Sequence, residues 1–156
     1  MLIHLVRHGH AGSRSAFRGD DADRPLTGRG QREAKEISRQ LSDAGVDLVW
    51  SSFFVRCRQT LEPLADSLGL PVVDHQALAE GGDGRTALDA LLGTAAEGHT
   101  VAACSHGDVI PALVDAAIRR GAVLHGPPSP AKGDRYEIEV VDGRVVSLTY
   151  VPRPDV

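Results

Sequence analysis

The stretch LVRHGHAG, residues 5–12, decides how the chain is read. It sets an apolar run, residues 2–6, directly against an arginine, two histidines and small residues. A short apolar run bounded by such residues reads as a strand buried on both faces. Buried polar groups are costly unless they find partners. Arg7 and His8 fall where that strand ends, so other parts of the chain must complete their surroundings.

Two further segments repeat the layout. In ACSHGD (103–108), an apolar strand at 100–104 leads into Ser105, His106 and Gly107, and Asp108 follows as the cap of a helix that Gly121 ends. In SSFFVRCRQT (51–60), a strand at 46–50 leads into a helix over 55–68 with Arg56 near its N-terminus. Pro63 should kink that helix or mark a fresh first turn. Residues 12–25 form a long polar loop, of a kind that often carries function. Thr27 caps a helix running to about residue 44, with Ala34, Ile37 and Leu41 at helical spacing and Gly45 as its stop. A short strand fits 71–74, a helix fits 86–96, and 122–133 reads as a Pro- and Gly-rich loop. Residues 135–141 and 145–151 alternate around Asp142-Gly143, a strong hairpin signal.

This order predicts an α/β fold: a mostly parallel central sheet, helices on both faces and a C-terminal antiparallel hairpin. In such sheets ligands bind outside the carboxyl ends of the strands. Those ends would present Arg7, His8, Arg56 and His106 together if the three strands are neighbours.

The whole-chain quantities agree. At 156 residues the length suits one domain, residues 1–156. Hydrophobic residues make up 42% and charged residues 24%, as in soluble globular proteins. A net charge of −4 gives no reason to expect nucleic acid as a partner. No apolar stretch is long enough for a membrane span, so no membrane partner is expected and the chain reads as cytoplasmic. Cys57 and Cys104 do not make a disulfide framework and read as reduced thiols.

Two arginines and two histidines suit phosphoryl transfer. Arginine forks match phosphoryl oxygens and keep their charge. A neutral imidazole is a competent nucleophile, and a second, protonated one adds a donor. Such a pocket stabilises the transition state electrostatically and calls for neither metal nor cofactor. His4, His8 and His10 share strand parity but lack a carboxylate or cysteine at metal-site spacing. Other nucleophiles fail on pattern. Ile110 and Pro63 stand where a cysteine phosphatase loop needs its arginine, and Ser105 lacks the nucleophile-elbow glycines.

The chain resembles the histidine phosphatase (phosphoglycerate mutase-like) superfamily in Arg7-His8-Gly9, in Arg56 with Gln59 and Thr60, in His106 of the SHG segment, and in RPLTGRG (24–30). Its shortness and lack of a large cap insertion are similar to the small phosphohistidine phosphatases. The residues after Arg7-His8-Gly9 and the FRGDD…RPL loop are also similar to the phosphatase half of actinobacterial Nudix–phosphatase fusions.

The resemblance implies His8 as nucleophile, with Arg7, Arg56 and His106 on the phosphoryl oxygens. It implies Glu80, in ALAE (77–80), as the acid that protonates the leaving oxygen, with Asp83 as a competitor. Small phosphohistidine phosphatases often lack that acid, so Glu80 points towards phosphoesters. Arg14 and Lys132 are candidate substrate-side charges, and Asp108 would add a negative charge near the pocket. The expected partner is a phosphorylated small molecule or a phosphohistidine protein. The readings kept beside this one are a non-catalytic phosphate-binding module, a nucleotide phosphatase and a mutase; the segment between Gly69 and Gly98 is short for the insertion a mutase needs. The bland readings are a satisfied core histidine for His8 or His106 and solvated charges for Arg14, Arg56, Glu80 and Lys132.

Overall fold

The computed structural model describes residues 1–156. The first strand, β1 (Leu2–Arg7), is buried throughout its middle and lies inside the sheet, flanked by two neighbours. It is followed by α1 (Gly28–Leu41), β2 (Leu48–Ser51), α2 (Val55–Leu68), β3 (Val72–Asp74), α3 (Gly84–Ala96), β4 (Val101–Ser105), α4 (Val109–Arg119), β5 (Val123–His125), β6 (Arg135–Val141) and β7 (Arg144–Val151). The seven strands form one sheet in the order β3-β2-β4-β1-β6-β7-β5. β3, β2, β4 and β1 are mutually parallel, and the hairpin strand β6 pairs antiparallel with both β1 and β7. No helix is long and apolar enough to cross a membrane.

Strand periodicity sorts the core onto two faces. Ile3 and Leu5 join Ala103 and Ile138 beneath α3 and α4, where Leu88, Leu91, Ile110 and Leu113 are fully buried. Val6, Val49 and Cys104 point the other way, towards Ile37 and Leu41 of α1 and Leu61 and Leu64 of α2. Each such leucine contributes about 2 kcal/mol of burial, so the helices are held by the sheet rather than by propensity.

The sheet register positions the site. Arg7 pairs with Ser105 and Ser51 with Cys104, so β1, β4 and β2 end level. The pairing continues one step beyond the strands: His8 N–H donates to the Ser105 carbonyl at 3.2 Å and Ser52 N–H to the Cys104 carbonyl at 3.0 Å.

Several expectations need correcting. Residues 122–133 contain β5, which pairs parallel with the outer side of β7. It is three residues long and mostly exposed, so it carries no alternation to read. α1 ends at Leu41, and a turn carries the chain to Gly45, at φ 74°. Pro63 lies inside an unbroken α2 and starts no new helix there. Asp108 occupies the N-cap of α4, but its side chain does not cap it; its Oδ2 accepts the Gly81 N–H at 2.8 Å instead. Asp142 and Gly143 both take positive φ, 51° and 77°, as a tight hairpin turn requires.

Candidate active site

Beyond the level ends of β1, β2 and β4 lies a cavity of about 540 Å³ with no hydrophobic residue in its lining. Arg7, His8, Arg56 and His106 all line it, together with Glu80, Arg14, Lys132 and Asp108. The strand ends anticipated from the sequence therefore meet in one place.

His8 is 4% exposed. Its Nδ1 lies 2.9 Å from the Gly9 carbonyl oxygen. A carbonyl can only accept, so Nδ1 carries the proton and Nε2 keeps its lone pair. Burial pushes the imidazole down to about 3, and the charges of His106, Arg56 and Arg7 push the same way, against the Gly9 hydrogen bond. The ring is thus neutral and nucleophilic at ordinary pH. Its loop is pinned from both sides. Gly9 N–H donates to Thr60 Oγ1 at 3.0 Å, and His10 N–H donates to Glu33 Oε1 at 2.8 Å. Gly30 sits so close that a Cβ there would stand 2.1 Å from the His10 carbonyl oxygen. That explains a glycine inside α1 despite its poor helix propensity.

The His106 ring lies edge-on to His8, with centroids 5.4 Å apart. Its Nε2 is 2.8 Å from Ser52 Oγ and 3.4 Å from Cys57 Sγ, and its buried Nδ1 has no protein partner. Arg56, the second residue of α2, is 1% exposed and stacks 4.9 Å over the Phe54 ring. It donates to the Asp21 carbonyl at 2.9 Å and to Asp21 Oδ2 at 3.1 Å, and lies 3.5 Å from Glu80 Oε1. Arg7 donates to the Pro130 carbonyl at 2.8 Å and leaves its Nε buried and unpaired, as Arg56 does. A Cβ on Gly107 would lie 2.7 Å from Arg7 Cζ, so that glycine makes room for the guanidinium.

The remaining charges surround this centre. Arg14 Nη2 lies 2.7 Å from Glu80 Oε1, and Arg14 Nε lies 3.5 Å from Asp21 Oδ2. Lys132 is pushed below its ordinary value by burial and by Arg7, Arg24 and Arg56. Asp83 caps α3 through the Arg85 N–H at 2.9 Å and is absent from the cavity lining, whereas Glu80 lies in it. His4 pairs with Glu137 on β6 and His10 with Thr27, so the three N-terminal histidines have separate partners.

Sequence reasoning missed Asp21, Arg24 and Ser52. Arg24 Nε lies 2.9 Å from Asp21 Oδ1, and its Nη1 donates to the Ala11 carbonyl at 2.8 Å, tying the 12–25 loop to the cavity. Burial raises the Asp21 carboxyl, but the Arg24 hydrogen bond and the charges of Arg56 and Arg24 outweigh it, and the net shift is downward. Arg24 opens the RPLTGRG segment, which carries the family resemblance, but nothing in its spacing marks Arg24 itself as a cavity residue.

This arrangement meets known proteins at several points. The family model "Histidine phosphatase superfamily (branch 1)" matches residues 3–89. An 8-oxo-(d)GTP phosphatase of Mycolicibacterium smegmatis is 34% identical over 154 residues, covering 97% of this chain and 48% of that protein. The chain thus spans about half of that relative's length. Among solved structures, the protein histidine phosphatase SixA complexed with tungstate superposes with a TM-score of 0.72 at 24% identity, covering 94% of this chain and 93% of that one. A phosphoserine phosphatase from Entamoeba histolytica, in complex with 3-phosphoglyceric acid, gives 0.72 at 16% identity, covering 94% of each chain. These two likenesses concern the fold. With the family match over residues 3–89, the chain belongs to the histidine phosphatase superfamily.

Proposed function

We propose that the protein is a phosphohydrolase that passes a phosphoryl group from its substrate to His8 and then to water. The observation that carries this reading is the state of His8: neutral, its Nδ1 proton fixed on the Gly9 carbonyl, its Nε2 lone pair free beside two guanidinium groups. A site meant only to hold phosphate has no use for a nucleophile prepared in that way.

In the first half-reaction His8 Nε2 attacks phosphorus and the bond to the leaving group breaks. Arg7 and Arg56 hold the equatorial oxygens, and His106 adds a donor. Charge on those oxygens is stabilised by groups already in place, which is where most of the rate enhancement arises. Glu80 is the cavity carboxylate that supplies a proton to a poor leaving group, and in the second half-reaction it accepts one from the water that cleaves phospho-His8. No step calls on a metal or a cofactor.

The substrate is a phosphohistidine protein or a small phosphoester. A second reading, nucleotide substrates, is supported by the 8-oxo-(d)GTP phosphatase relative. The reading as a whole is tested with an aryl phosphate. His8→Ala should abolish its turnover; unchanged turnover would end the proposal.

A further inference from the structure

Five basic side chains, Arg7, Arg14, Arg24, Arg56 and Lys132, line the cavity against two carboxylates, Glu80 and Asp108. Arg7 and Arg56 are the guanidinium groups whose charges act on His8. Arg14 is occupied by Glu80 and Asp21, and Arg24 by Asp21 and the Ala11 and Gly12 carbonyls. Lys132 also lines the cavity, yet its ammonium makes neither an ion pair nor a hydrogen bond with the protein.

Its backbone is fixed on both sides. Gly133 N–H donates to the Arg7 and His8 carbonyls at 3.2 and 3.0 Å, Pro130 O accepts from Arg7, and Ala131 N–H donates to Asp134 Oδ2 at 2.6 Å. The chain therefore holds a lysine among guanidinium groups with no carboxylate at ion-pair distance, Glu33 opposing its charge only from farther off. Such a group gains most when an anion enters.

Resting on the phosphatase reading, we infer that Lys132 forms a second anion subsite beside the phosphoryl cradle. It takes the phosphate next to the one transferred, and so selects, among the substrates considered above, the phosphoanhydride of the second reading over phosphohistidine and simple phosphoesters. The side-chain chemistry favours phosphate over carboxylate. A lysine is a compact point charge suited to phosphate, whereas the planar forks that match carboxylates here already hold Asp21 and Glu80. The cavity wall has no apolar side chain to receive a hydrophobic leaving group.

Glu80 agrees with this assignment. A phosphoanhydride calls on it only as the base of the second half-reaction, where its contacts with Arg14 and Arg56 hold it at the cavity. With a phosphoanhydride, the His8 Nε2–P bond forms while the bridging P–O bond breaks. The shortened phosphate departs as an anion, its new charge facing Lys132, and needs no proton. Water then attacks phospho-His8, the P–N bond breaks, Glu80 accepts the proton lost by the water, and inorganic phosphate leaves.

The test compares Lys132→Ala and Lys132→Arg with wild type on an aryl phosphate, phosphoserine and inorganic pyrophosphate. The ratio of kcat/KM for pyrophosphate to that for aryl phosphate should fall at least about tenfold in Lys132→Ala, as expected for losing one charge-assisted contact. Lys132→Arg, which keeps the charge, should recover most of it. A ratio unchanged in Lys132→Ala, a loss falling on phosphoserine instead, or a wild-type enzyme active on aryl phosphate but not on pyrophosphate each overturns the subsite while leaving the phosphatase reading intact. Turnover of none of the three overturns both.

Discussion

Replacing His8 by glutamine should remove most of the acid sensitivity that this one ring gives the fold. In the native state burial holds the imidazole at about 3, against an ordinary value of 6.5. The unfolded chain therefore binds the proton more readily. Stability is full above the unfolded value and is lost as pH falls from about 6.5 towards 3. Between pH 7 and pH 5 those two values correspond to a loss of about 2 kcal/mol through His8 alone. Glutamine cannot take up a proton there, and the other titrating groups, Glu137 among them, are common to both proteins. Urea unfolding at pH 7, 6 and 5 should give a wild-type stability that drops by about 2 kcal/mol more than that of His8→Gln. Parallel curves would show that His8 is not held neutral by its surroundings, and the account of the nucleophile would lose its basis.

Other expectations follow from particular contacts. Gly107→Ala drives a Cβ towards the Arg7 guanidinium, the movable end of a long side chain, so phosphate affinity should fall while the thermal midpoint hardly moves; calorimetry and a melting curve read the two separately. Arg56→Lys keeps a charge but loses the fork that reaches Asp21 and Glu80, and kcat/KM for an aryl phosphate should drop by at least about tenfold. Glu80→Gln should cost about 100-fold on an alkyl phosphoester, whose leaving oxygen needs a proton, and much less on phosphohistidine; equal losses would contradict the division of roles. Leu88→Ala opens a cavity under α3 and should cost about 3 kcal/mol in denaturant unfolding, with kcat unchanged in the protein that remains folded.

The architecture was legible because its signals are local and mutually consistent. The largely apolar runs at 2–6 and 100–104 are too short for helices and read as buried strands, α2 follows from leucines at helical spacing, and Asp142-Gly143 favours a hairpin. The cavity centre was legible for a related reason: polar groups at the ends of buried strands need one another. What escaped depends on tertiary geometry. β5 is too short and too exposed to show alternation. Asp108 has a good capping residue type, yet the Gly81 N–H takes its carboxylate. Asp83 and Glu80 are three residues apart in a Gly-rich turn, and only the start of α3 separates a cap from a cavity carboxylate. Asp21 and Arg24 lie in a loop without periodicity, so the meeting of Asp21 with both Arg24 and Arg56 left no trace in the spacing.

Phosphorylated His8 can be trapped. Wild-type protein mixed with an aryl phosphate, quenched in alkaline denaturant to spare the P–N bond and digested, should yield one phosphorylated peptide, modified on His8. His106→Ala, which keeps the nucleophile, should still give that peptide at a lower rate, and His8→Ala should give none. Sustained turnover without any phosphorylated histidine, or label on a residue other than His8, would contradict the account.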